Sequence, residues 1–209
     1  MITPDYSLYL VTDRSLLKGR KLLDEVRKAV KGGVSMVQLR EKEAGSREFY
    51  ELAQTLQTEL RELGVPLLIN DRLDIALAVD ADGLHLGQDD LPLPVARSLL
   101  GEEKIIGLSI NKREEAWEGE KMGADYLGVS PVFSTPTKAD APPATGLEFL
   151  ASLRQEIKIP LVAIGGINKE NLKMIKETRA DGAAVISALM GTSDIEGEAK
   201  KLRQIWERN

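Results

Sequence analysis

Cysteine is absent from the 209 residues of this chain. Its absence excludes disulfide frameworks, thiolate zinc sites and cysteine nucleophiles together. Histidine occurs once, at His85, so a Ser-His-Asp triad would have to be built there or not at all. Basic charge is in short supply: 28 Lys and Arg stand against 33 Asp and Glu, a net charge of −5. That balance argues against a nucleic-acid partner, because no basic stripe supplies the counter-charge. No apolar run approaches the roughly 20 residues of a membrane span. The opening Met1-Ile2-Thr3-Pro4-Asp5 lacks a basic segment followed by an apolar stretch, so no export signal is expected and the protein should be cytoplasmic. No Gly-x-Gly-x-x-Gly run follows the first β-rich segment, which removes the usual dinucleotide fingerprint. Linkers and low-complexity segments are also missing. A single domain over residues 1–209 is expected, large enough to bury a core without covalent staples.

What is present is an alternation of short β-rich runs with longer amphipathic ones. The candidate strands are Ser7–Thr12, Met36–Arg40, Pro66–Asn70, Gly83–Leu86, Lys104–Ser109, Tyr126–Ser130, Leu161–Ile164 and Gly182–Ile186. Several are continuously apolar, as strands buried on both faces of a parallel sheet must be. Between them, Leu22, Val26, Ala29 and Val30 recur at helical spacing, as do Leu52, Leu56, Leu60 and Leu63. Eight strand–helix units in this length leave about 26 residues each, which suits an α/β fold closed as a small (β/α)₈ barrel. A recurring turn before the strands supports it: Gly32-Gly33-Val34-Ser35, Gly123-Ala124-Asp125 and Arg179-Ala180-Asp181-Gly182. Glycine there would supply the left-handed residue that ends a helix. An open doubly wound sheet is the alternative. The one irregular stretch, Ser134–Ala144, is rich in Pro, Thr and Ala and long for a barrel loop, which marks it as functional or mobile.

In such barrels chemistry sits at the C-terminal strand ends. Those ends carry three groups of candidate residues. Arg40, Lys42 and Lys138 are cations suited to phosphate oxygens, unless Arg40-Glu41-Lys42 is only a salt-bridged rim. Asp71 with Asp89 or Asp90 offers hard oxygen ligands for Mg²⁺ bridging a phosphate, unless Asp90 merely caps the helix beginning near Pro92. Gly165-Gly166 and Ser187 follow the seventh and eighth strands, the usual phosphate site of this fold. Two anion sites in one mouth imply two phosphorylated small-molecule substrates or one bisphosphate. His85, between Leu84 and Leu86, should point into the barrel as a satisfied core residue, or else touch a bound ring. Trp117 and Trp206 are expected to pack on helices.

Six segments stand in order: Val37-Gln38-Leu39-Arg40-Glu41-Lys42, Ile69-Asn70-Asp71, Gly83 to Asp90, Pro131 to Lys138, Ala163-Ile164-Gly165-Gly166-Ile167 and Val185-Ile186-Ser187-Ala188. Together they resemble the thiamine-phosphate synthase family over nearly the whole chain, from about Tyr9 to Leu189. The resemblance implies a (β/α)₈ barrel. It implies condensation of a pyrimidine-methyl diphosphate with a thiazole phosphate, giving thiamine phosphate and pyrophosphate. By the same resemblance, Gln38, Leu39, Arg40, Glu41 and Lys42 hold the pyrimidine diphosphate, joined by Asn70, Ser109 and Lys138. Asp71 and Asp90 bind Mg²⁺. Thr135, Pro136, Thr137, Gly165, Ile186 and Ser187 hold the thiazole phosphate. Arg40, Ser109 and Lys138 carry the catalytic roles, and a homodimer is compatible with the reading. Two positions depart from the usual pattern: Ser134, where proline often follows the phenylalanine, and Asn111, where His or Thr often stands. The alternatives are a thiazole tautomerase-like paralogue and a non-catalytic protein that binds a phosphorylated ligand.

Overall fold

The computed structural model describes residues 4–135 and 143–208. Short apolar runs bounded by turns become eight strands: β1 (Leu8–Val11), β2 (Met36–Leu39), β3 (Leu67–Asn70), β4 (Gly83–Leu86), β5 (Ile105–Ile110), β6 (Tyr126–Val129), β7 (Leu161–Ile164) and β8 (Gly182–Val185). The helices are α1 (Leu22–Lys31), α2 (Ser46–Leu63), α3 (Leu73–Ala78), α4 (Leu93–Leu100), α5 (Arg113–Lys121), α6 (Gly146–Glu156), α7 (Leu172–Glu177), α8 (Ser187–Met190) and α9 (Ile195–Glu207). A 3₁₀ turn, Arg14–Leu17, replaces a helix directly after β1. Neighbouring strands are parallel, and β1 pairs with both β2 and β8, so the sheet closes into an eight-stranded barrel. Each strand lies within two residues of its expected bounds at either end. Among the described residues no helix is long and apolar enough to cross a membrane.

Strand alternation separates two apolar layers. Leu8, Leu10, Val37, Leu39, Leu84 and Leu86 point outward into the core shared with the helices. Tyr9, Val11, Met36, Leu68, Tyr126, Val162 and Ala184 fill the barrel interior, with Tyr6 below them. The expected outward placing of Leu84 and Leu86 therefore holds, and His85 points inward. On α2 the buried stripe is Phe49, Ala53, Leu56 and Leu60. The expected run of Leu52 to Leu63 is thus turned part of a step: Leu63 faces solvent at the last turn.

Two local expectations are corrected. Gly33 and Gly123 do take positive φ after α1 and α5, but after α7 that role falls to Arg179, at φ 64°. Gly182 is needed for a different reason: it lies inside β8 with its α-carbon pressed on the backbone of Tyr6. Trp117 does not pack away; it is 48% exposed and its indole N–H donates to Glu156. Trp206 packs against the core as expected. Glu25, in the first turn of α1, is almost fully buried and binds Arg20 at 2.5 Å and Lys28 at 2.8 Å. Arg20 also donates to the carbonyl of Met190 at 2.6 Å. That bridge fixes α8, and with it Ser187, against the start of α1.

A methyl group on Gly182 would meet the Tyr6 carbonyl, which is backbone and cannot rotate aside. Gly182→Ala should cost about 3 kcal/mol of stability, the upper range for overpacking. Urea unfolding of the two proteins measures it, and an unchanged midpoint would show that the Tyr6 segment yields freely.

Candidate active site

The C-terminal strand ends surround a cavity of about 450 Å³. That is within the range of small-molecule sites. Its wall contains Gln38, Arg40, Lys42, Asn70, Asp71, Asp90, Ser109, Thr135, Gly165, Ile186 and Ser187, so most of the sequence-selected residues converge on one mouth. Two do not. Leu39 is fully buried in the layer facing the helices. Glu41 turns away to bind Arg14 at 2.7 Å, and its second carboxylate oxygen is buried without a partner among the described residues. Strand alternation turns Leu39 away from the inward Gln38 on β2, whereas Glu41 lies two residues past the strand and is drawn off by Arg14. Pro136, Thr137 and Lys138 lie outside the described residues.

The acidic half of the mouth is held by unusual backbone. Asp71 has φ 62°, a left-handed value that is rare for a residue with a side chain. Its N–H donates to the His85 carbonyl at 2.9 Å, and the next N–H, of Arg72, reaches back to the Asn70 carbonyl at 2.7 Å. This closes the rarer, positive-φ form of the three-residue turn. The turn points the Asp71 carboxylate at the Lys42 ammonium, 2.5 Å away. Asp90 is not the cap of α4, where Pro92 stands without a side-chain bond. Its carboxylate folds back to accept from the Gly87 N–H at 2.7 Å, which sets it beside Asp71. Burial pushes the Asp90 carboxyl above the usual range, and the neighbouring Asp71 charge adds to this against the Gly87 bond.

Two carboxylates crowded together in this way suit a hard divalent cation completed by phosphate and water oxygens. No cluster of three or more metal-binding side chains occurs among the described residues. An ion here would therefore depend on substrate oxygens for the rest of its shell. Arg40 also lines the mouth and forms no ion pair among the described residues, which leaves its guanidinium available to an anion. The salt-bridged rim considered from the sequence exists only in part, as Glu41 and Lys42 pair with Arg14 and Asp71 rather than with Arg40.

Across the mouth, Gly165 and Gly166 both take positive φ. A side chain on Gly166 would collide with the Ser134 carbonyl and Phe133, 2.7 and 2.8 Å from its would-be Cβ. The Phe133 N–H bonds the Gly165 carbonyl at 3.1 Å, so the loops after β6 and β7 brace each other. Neither the Gly166 N–H nor the Ser187 N–H has a partner among the described residues, and Ser187 opens α8. Bare N–H groups at a helix start attract anions.

The wall between the two halves contains His85. Its Nδ1 lies 2.7 Å from the Tyr126 hydroxyl and its Nε2 2.8 Å from Ser109 Oγ. The expected satisfied core histidine is found, and it also lines the cavity. Sequence reasoning missed Tyr9 and Tyr126 as site components, and Gln88, whose amide donates to the Ser109 carbonyl at 2.7 Å. Strand alternation pointed Tyr9 inward between Leu8 and Leu10; nothing local distinguished Gln88.

Residues 8–189 match the family model described as thiamine monophosphate synthase. The chain belongs to the thiamine monophosphate synthase family. It is 95% identical over all 209 residues, and over the whole of the relative, to a thiamine-phosphate synthase from Syntrophomonas wolfei. It is 52% identical over 202 residues to a thiamine-phosphate synthase from Desulfitobacterium hafniense, covering 97% of this chain and 98% of that one. The solved structure of a thiamine phosphate pyrophosphorylase from Pyrococcus furiosus superposes with a TM-score of 0.90 at 45% identity, covering 98% of this chain and 96% of its own. The family resemblance seen in the six segments, and the barrel it implied, both hold.

Burial lowers the His85 pKa to about 4, against a smaller upward pull from Asp71. The folded value thus lies below the unfolded one near 6.5. Above pH 6.5 both states are neutral and the residue contributes nothing to pH dependence. Between pH 6.5 and 4 only the unfolded chain takes up the proton, so stability should fall by roughly 3 kcal/mol on this account. Urea unfolding at several pH values, compared with His85→Gln, isolates the effect. Equal slopes in the two proteins would mean that His85 is already protonated in the fold.

Proposed function

We propose that this barrel joins a pyrimidine-methyl diphosphate to a thiazole phosphate, releasing pyrophosphate and leaving thiamine phosphate, through a dissociative pyrimidine-methyl cation. Membership of the family makes the chain a transferase. The observation that carries the finer reading is the division of one cavity into two anion sites of different design. One has Arg40, Lys42 and the paired Asp71 and Asp90; the other has bare N–H groups at Gly166 and Ser187.

The first site suits a leaving group that gains charge. Arg40 and Lys42 face it as cations, and Asn70 and Gln38 supply amide groups beside them. Lys138 completes this set in the proposal. Mg²⁺ held by Asp71 and Asp90 would neutralise charge on the departing diphosphate. Lys42 would then give up its bond to Asp71 and turn to the phosphate oxygens. The second site holds a phosphate that takes no part in bond breaking, with Thr135, Pro136, Thr137, Gly165, Ile186 and Ser187 assigned to it. The residues' remaining tasks are alignment of the two rings and exclusion of water from the cation. No side-chain nucleophile is required, which is consistent with a chain that has no cysteine and one neutral histidine. In this reading the whole chain works as one cytoplasmic barrel domain on two small phosphorylated substrates, without nucleic acid or membrane, and is compatible with a homodimer.

A thiazole tautomerase-like activity is disfavoured by Asp90, set beside Asp71 by the Gly87 bond, since that chemistry has no diphosphate to release. A purely ligand-binding protein would bind both compounds without turnover. Incubation with both substrates, with and without Mg²⁺, while pyrophosphate release is followed, separates the three readings.

Two sets of variants probe the assignments. Asp71→Asn should weaken Mg²⁺ binding, read by titration calorimetry with pyrophosphate present, and lower turnover in parallel. Full activity at limiting Mg²⁺ would remove Asp71 from the metal site. Lys138→Ala should lower kcat by about 10²-fold, the scale of one preorganised charge stabiliser. Ser187→Ala should instead raise KM for the thiazole phosphate roughly 10-fold with kcat little changed, since uniform binding affects KM. Reversal of the two patterns in steady-state kinetics would reverse the sites.

A further inference from the structure

Inside the barrel, His85, Gly107 and Tyr126 are register neighbours on β4, β5 and β6. Gly107 leaves its rung empty: a methyl group there would fall on the Tyr126 ring. Tyr126 therefore lies across β5 and reaches His85 Nδ1. Two residues further along the strands, Ser109 pairs with Gly128, where an added β-carbon would lie 3.1 Å from the His85 ring. On the other side the Tyr126 hydroxyl lies 3.0 Å from that of Tyr9, and Tyr9 accepts from Gln38 Nε2 at 2.8 Å. Five groups thus form one buried chain, from Gln38 at one wall of the cavity to Ser109 at another.

Each member of this chain has a single role left to it. The Gln38 amide nitrogen can only donate. The Tyr9 oxygen accepts that bond, and its own hydrogen finds no acceptor among the described residues other than the Tyr126 oxygen, so it goes there. Tyr126 then donates to His85 Nδ1. A neutral imidazole that accepts at Nδ1 carries its hydrogen on Nε2. That hydrogen goes to Ser109 Oγ, whose own hydrogen finds no acceptor among the described residues.

We propose that Gln38, Tyr9, Tyr126 and His85 act as a directional relay of hydrogen bonds that makes Ser109 an obligatory donor into the cavity, aimed at an acceptor oxygen of the departing diphosphate. The four are positioning residues; only Ser109 would touch the substrate through this route. Gln38, Tyr9, Tyr126 and His85 are all buried, so water does not compete for these bonds and the direction is preserved. The ring packing does the same for geometry: Tyr126 stacks on His85 with centroids 5.5 Å apart and meets Tyr9 edge-on at 6.0 Å. The identity of the acceptor rests on the proposed function, whereas the direction of the relay does not.

Because His85 is the single histidine, nitrogen NMR of the full chain labelled with ¹⁵N-histidine reports one imidazole without assignment. The free protein at neutral pH should show hydrogen on Nε2 and a bare Nδ1. Hydrogen on Nδ1, or a mixture of tautomers, would overturn the relay. Tyr126→Phe should abolish the tautomer preference and lower kcat for pyrophosphate release roughly 10-fold, as Ser109→Ala should, with KM for the thiazole phosphate unchanged. The double variant should be no slower than Ser109→Ala alone, because both changes remove one interaction. Additive losses would mean that Tyr126 only supports the fold, and would refute the coupling. If Tyr126→Phe fails to fold, Tyr9→Phe takes its place in the same cycle. Absence of pyrophosphate release by the native chain, with the Nε2 tautomer present, would reject the proposed reaction while leaving the relay standing.

Discussion

The interior of a closed eight-stranded barrel is filled by side chains, so any polar group that points inward must be satisfied by another such group. Most of this interior meets the constraint with apolar residues. Near the mouth it is met by the chain of amide, hydroxyls and imidazole from Gln38 to Ser109. Gly107 makes that solution geometrically available, because a side chain there would displace the Tyr126 ring, and Gly128 gives the His85 ring its remaining room. A structural requirement of the core and a chemical property of the cavity wall are therefore met by the same residues. The aromatic composition fits this use: three of the four tyrosines, Tyr6, Tyr9 and Tyr126, lie in the interior beside the single histidine.

The mouth above it is governed by unbalanced charge. Asp71 is held in a left-handed turn, and Asp90 is folded back onto Gly87, so that two carboxylates stand together and Asp71 alone is paired with Lys42. Such crowding costs stability in the free protein, as does the positive φ at Asp71. In the proposed reaction both costs would be offset when cation and diphosphate fill the site. The opposite wall carries no such strain in its charges, because the groups proposed to hold its phosphate are backbone N–H dipoles placed by Gly166 and by the start of α8. The bridge from Glu25 through Arg20 to the Met190 carbonyl holds that helix from behind. In the proposed reaction a spectator phosphate needs a rigid seat, whereas a departing diphosphate needs cations that can shift toward it, and the two walls differ in a way that suits this division.

The amino-acid sequence by itself determined the barrel. Eight apolar runs at near-even spacing admit few other arrangements, and strand ends then had to gather Arg40, Lys42, Asp71, Ser109 and Ser187 on one rim. It also determined the family, since six short segments in register are far more specific than any one of them. Tertiary structure alone decided which side chains of those segments face the cavity: Leu39 and Glu41 belong to the motif yet turn outward, Leu39 by alternation along β2 and Glu41 by its pair with Arg14. It decided that Asp90 serves the mouth rather than the helix that follows it, that Arg179 rather than glycine ends α7, and that Trp117 is exposed. Above all it joined Gln38, Tyr9, Tyr126, His85 and Ser109, which come from five different strands. Local sequence carries periodicity and therefore faces and ends. Hydrogen bonds across a barrel depend on register between strands and on the empty rung at Gly107, and neither exists until the sheet has closed.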